Sequence, residues 1–132
     1  MPKIQYKDTQ TTVFESALFR TTSTLIETKD LVLLVDPNWL PEEIENIQQA
    51  VLRCDPSKPF FLLFTHSDYD HIIGYRAFPN AQIIASQSFV DNKNKAKIIQ
   101  QINDWDDENY IKRCYPITYP AVDIVIKEEG QQ

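Results

Sequence analysis

Both histidines of the 132-residue chain, His66 and His71, fall within six positions, interleaved with Asp68 and Asp70. Imidazole nitrogens and carboxylate oxygens are donors that zinc, iron and manganese accept. His66 and Asp68 stand two apart, so an extended backbone points both to one side. Asp70 and His71 are adjacent and do not readily converge on an ion held by the first pair. A turn or helix start aims them instead at a second ion nearby. The spacing suits a two-metal centre better than one tetrahedral ion. Asp70 also has a plain structural reading, as the cap of a short helix that follows it.

The elements around this group place it where α/β proteins keep their sites. Thr11–Arg20, Thr22–Thr28 and Leu31–Val35 are rich in Thr, Val, Phe, Leu and Ile and predict short antiparallel strands. Asp36-Pro37-Asn38 breaks the last of them. Pro41, Glu42 and Glu43 suit the start of a helix. Ile44, Ile47, Val51 and Leu52 then supply one apolar face, ending near Cys54. Phe60–Phe64 is a continuous apolar run between breakers and predicts a strand buried on both faces. The His/Asp group begins directly beyond it, at the C-terminal end of that strand. A short helix is expected over Ile72–Phe78 and a strand over Gln82–Ala85. A long helical segment should follow, capped by Ser86, with Phe89, Val90, Ile98, Ile99 and Ile102 as its stripe. A second short helix is expected over Asp104–Arg113 and a late strand over Val122–Lys127. This is an α/β alternation in a single domain covering 1–132.

The text Thr65-His66-Ser67-Asp68-Tyr69-Asp70-His71-Ile72-Ile73-Gly74 resembles the hallmark of the metallo-β-lactamase superfamily, Thr-His-x-His-x-Asp-His-x-x-Gly. It matches at Thr65, His66, Asp70, His71 and Gly74. Ser23–Thr28 and Leu31–Val35 with Asp36 resemble the opening strands of that family, and the likeness covers most of residues 12 to 90. The resemblance implies an α/β (α+β) fold, one half of a four-layer αββα sandwich. It implies metal ligation by His66, Asp68, Asp70 and His71, with two zinc ions in a complete site. Asp70 would also orient a water or take a proton. The implied activity is hydrolysis of an ester, thioester, amide or phosphodiester in a small-molecule substrate by metal-activated water.

Two departures qualify that expectation. Asp68 stands where the family usually has a histidine. Its harder oxygen donor leans the site toward iron or manganese as alternatives to zinc. The flavodiiron branch, which carries a glutamate there and binds two irons, offers a redox alternative. The family also draws a histidine, a bridging aspartate and a final histidine from beyond the motif, and no histidine follows His71. Asp91, Asp104, Asp106, Asp107 and Asp123 are later aspartates that offer carboxylates, read mainly as solvated faces. The chain therefore reads as the N-terminal half of such a domain, a truncated unit. Its expected partners are the missing C-terminal half or a second copy in a homodimer. A non-catalytic, metal-binding half-domain is the third reading.

Composition bounds the remaining classes. A net charge of −6 speaks against nucleic acid as a partner. The longest apolar runs, Leu31–Val35 and Phe60–Phe64, are too short to span a membrane. The N-terminus has no apolar signal core, and Cys54 and Cys114 form no CxxC pair, so a cytoplasmic protein with reduced thiols is expected. Trp39, Tyr69 and Trp105 read as packing residues.

Overall fold

The computed structural model describes residues 3–17, 21–37, 40–65, 72–113 and 116–127. They form one seven-stranded sheet whose spatial order follows the chain: β1 (Lys3–Lys7), β2 (Thr11–Glu15), β3 (Thr22–Glu27), β4 (Val32–Val35), β5 (Phe60–Leu63), β6 (Gln82–Ser86) and β7 (Ile124–Ile126). The first three pairings are antiparallel and the last three parallel. The predicted meander and the predicted alternation thus meet at β4. The first strand, β1, has no counterpart in the sequence reading.

Each parallel step needs a crossover. Helix α1 (Pro41–Leu52) joins β4 to β5, and a 3-10 turn (Ile73–Ala77) stands before β6. Helices α2 (Gln87–Val90) and α3 (Lys95–Glu108) join β6 to β7. Strands added always to the same side by crossovers of one hand put every helix on the same face. The core confirms this. Ile44 and Ile47 of α1, Phe89 of α2 and Ile98 and Ile102 of α3 form one cluster with Leu25, Leu34, Leu62, Phe64 and Ala85 of the sheet. Those strand residues all project to the helix side. Their neighbours in sequence, Leu33, Val35, Phe61, Leu63 and Ile84, are only half-buried. The run 60–64 is therefore buried on one face, not on both.

Two further expectations are corrected. The helical segment after Ser86 is split. Ser86 Oγ accepts the Phe89 N–H at 3.1 Å and caps only α2. The chain then leaves the helix at Asn92, whose side chain takes the Asn94 N–H at 2.7 Å. That local bond competes with the helical ladder, and Asp and Asn are poor helix formers. No separate helix covers 104–113 either. Asp104–Glu108 is the last turn of α3, and Tyr110, at φ 56°, stops it. The Ile111 N–H reaches the Asp106 carbonyl at 2.9 Å and the Tyr110 N–H reaches that of Asp107 at 3.4 Å. This is the paired 6→1 and 5→2 closure of a Schellman turn, with Tyr110 in the left-handed position that glycine usually takes.

Cys54 is a free thiol, partly buried beyond the end of α1; burial first, then the nearby Glu27 carboxylate, raises its pKa. Cys114 lies outside the described residues. Among the described residues no helix is long and apolar enough to cross a membrane.

Candidate metal centre

The C-terminal ends of β4, β5 and β6 lie side by side, because these strands run parallel. At the end of β4 the chain turns through Asp36, a left-handed residue with φ 49° that is almost fully buried. Asp tolerates this conformation better than most side chains. The turn brings its carboxylate to the neighbouring strand end. Thr65 donates both its backbone N–H (2.9 Å to Oδ1) and its hydroxyl (2.6 Å to Oδ2) to that carboxylate. The Asp36 N–H bonds the Leu63 carbonyl at 3.1 Å, and Ser23 Oγ of β3 donates to the Asp36 carbonyl. Three strand ends are thus tied together one residue before His66.

A second buried carboxylate steadies the same end of the sheet. Glu43, in the first turn of α1, accepts Ser16 Oγ at 2.7 Å and the Ala17 N–H at 2.8 Å. It also lies 3.4 Å from the Leu40 N–H, in a capping arrangement. The chain leaving β2 and the chain entering α1 are therefore held to one group. At the far end of the motif, Ile72 and Gly74 are buried, with Ile72 in the core.

His66, Asp68, Asp70 and His71 themselves lie outside the described residues, as do Tyr69 and Trp39. Among the described residues no three His, Cys, Asp or Glu side chains gather as metal ligands. Four of the five later aspartates have identifiable local partners. Asp91 accepts the Gln87 amide and Asp104 the Gln100 amide, both on exposed helix surface. Asp123 accepts the Ile83 N–H at 2.8 Å. It precedes β7 and so sits at the opposite end of the parallel strands from Thr65. Asp106 is not a solvated face residue as expected; it is buried against Arg113. A cavity of about 690 Å³ lies between α1, the 3-10 turn and the chain after α3, with Arg76, Lys112 and Arg113 among its lining.

Of the groups that order this end of the sheet, Asp36 was visible in the sequence only as a strand-ending aspartate, and Glu43 only as an acidic first-turn residue. Their partners stand 29 and 27 residues away.

The model of the metallo-beta-lactamase superfamily matches residues 17–94, more than half of the chain. The chain belongs to the metallo-beta-lactamase superfamily. Solved structures agree on the fold. The DIM-1 metallo-beta-lactamase exposed to ceftazidime matches 96% of this chain at 13% identity and a TM-score of 0.56. The FEZ-1 metallo-beta-lactamase of Legionella gormanii matches 97% at 17% identity and 0.54. A metallo-beta-lactamase of Cronobacter sakazakii matches 91% at 19% identity and 0.55. The match takes in 52%, 48% and 46% of those three proteins, so the chain spans about half the length of these metallo-beta-lactamases. No curated protein matches the chain by sequence. The Asp36–Thr65 anchor holds the first residue of the motif and so belongs to its support.

Proposed function

We propose that this chain carries the first part of a metallo-hydrolase centre, with His66, Asp68, Asp70 and His71 as its metal ligands. The observation that carries the reading is the double hydrogen bond from Thr65 to Asp36, which fixes the chain one residue before His66 at the C-terminal ends of parallel strands. Metal-binding loops need such support, because ligands must be deprotonated and held in place before an ion arrives. The donor set fits: two imidazoles and two carboxylates suit zinc, and the second carboxylate also suits iron or manganese. The metals, once bound, would supply Lewis acidity and a nucleophile from water at neutral pH.

The chain's own residues divide the work. His66 and Asp68 hold one position and Asp70 and His71 the other. The Asp70 carboxylate also orients the attacking water and accepts its proton. Asp36 keeps the start of the loop in register with the strand ends. The reaction class is hydrolysis of a carboxylic or phosphoric ester, thioester or amide. Four protein ligands leave coordination positions open for substrate and for donors from outside this stretch.

The test is metal content. Purified chain, exposed to zinc, iron(II) or manganese and dialysed, should retain metal near stoichiometry, and the metal retained in greatest amount identifies the resident ion. His66→Ala and Asp70→Ala should each lower retention to background with the circular dichroism spectrum unchanged. Retention equal to wild type in both variants would remove the motif from the site, and with it this reading.

A further inference from the structure

One face of the sheet carries the helices; the other is apolar, and no described helix packs on it. Strand register makes that second face concrete. Val13, Thr24, Val35, Leu63, Ile84 and Ile124 are consecutive Cα partners and form one unbroken row from β2 to β7. A second row runs Thr11, Ile26, Leu33, Phe61 and Gln82. Neither row holds a charged residue, in a chain where 24% of residues are charged. Exposure rises toward the edge: Ile124 and Ile126 of β7 are 40% and 41% exposed.

A sheet of seven short strands, at about 4.8 Å per strand and about 3.3 Å per residue, offers a plan area on the order of 500–600 Å². The accessible surface of side chains standing on that plan is larger and comes close to the ~800 Å² per partner of a standard stable interface. Free surfaces rarely keep a continuous apolar patch of that size.

We infer that this face is the docking surface for a second copy of the chain, packed sheet on sheet about a two-fold axis. A two-fold contact uses the same patch twice, and an uncharged patch lets two chains of net charge −6 meet without like-charge repulsion at the contact. Flat apolar sheet faces pack in this manner about 10 Å apart. The inference stands independently of metal binding.

Sedimentation equilibrium of the purified chain should give twice its 15.4 kDa over a wide concentration range. Phe61→Glu, at the centre of the face, should weaken the dimer by about 100-fold or more. Leu52→Glu, on a 74% exposed residue at the end of α1, should leave it unchanged. Should Phe61→Glu fail to fold, the paired variant Leu33→Thr/Ile84→Thr takes its place, since threonine has the β-branched shape that strands favour. Dissociation by the face variants alone supports the inference. A monomeric wild type, a ladder of masses without a discrete dimer, or a dimer insensitive to the face variants overturns it.

Discussion

Asp36→Ala is expected to weaken metal retention by about 10- to 100-fold, the range seen when a group that orients a ligand is removed. The physical route is short. The carboxylate holds both donors of Thr65, and the next residue is His66. Without it the chain leaving β5 loses its register with β4, and the first ligand must be ordered at the expense of binding. Stability should fall by about 1–3 kcal/mol, because one partner of two hydrogen bonds to a charged group has gone. Thr65 is exposed, so water recovers part of that loss and the lower end of the range is the better estimate. Two further variants separate the effects. Asp36→Gly removes the carboxylate but relieves the positive φ, and should restore stability more than metal affinity. Asp36→Asn keeps one acceptor oxygen and tolerates the left-handed backbone, and should fall between wild type and alanine. Competition with a chromophoric chelator reads the affinity, and urea denaturation reads the stability. Wild-type affinity in a destabilised Asp36→Ala protein would make the anchor a feature of folding alone.

The contrast between the motif and its anchor shows what a sequence exposes. Four candidate donors crowd into six positions, so their chemistry is visible without a structure. The group that braces them is one aspartate, and it becomes meaningful only when β4 and β5 run parallel and bring residues 36 and 65 together. Sequence pattern exposes β2 to β7 and α1, because the strands are runs rich in Val, Ile, Leu, Phe and Thr between breakers and α1 has apolar residues at the helical period. It misses β1, whose residues Ile4, Gln5, Tyr6 and Lys7 are exposed and which is organised by backbone pairing to β2. It ran α2 and α3 together because the break at Asn92 comes from a side-chain bond, not from Gly or Pro. It missed the end of α3 because Tyr110 occupies a position where only glycine would have announced the turn. Composition alone predicts the run 60–64 to be doubly buried. Composition says that both faces want cover; it does not say what covers the second.

Asp106→Ala should be the most destabilising of these substitutions, at about 3–5 kcal/mol. Arg113 donates from Nε to Oδ2 at 2.7 Å and from Nη2 to Oδ1 at 2.9 Å. The pairing is bidentate, and the two side chains are only 4% and 10% exposed. Removing the carboxylate takes two charge-assisted bonds away from a buried guanidinium, and arginine does not neutralise itself by losing a proton. Against a typical total stability of about 5–15 kcal/mol, that loss lowers the midpoint of thermal unfolding by roughly 10–20 °C. The location amplifies the effect. The pair closes the chain back onto α3 just past the Schellman turn at Tyr110, and α3 contributes the fully buried Ile102 to the core. The pair itself need not be a net stabiliser, since taking two ions out of water offsets much of their attraction. Asp106→Leu/Arg113→Met should therefore lie within about 2 kcal/mol of wild type, although it removes both charges. A double-mutant cycle followed by thermal and urea denaturation reads the coupling directly. Asp106→Ala within about 1 kcal/mol of wild type would place the pair among exposed ion pairs, whose contribution is of that size.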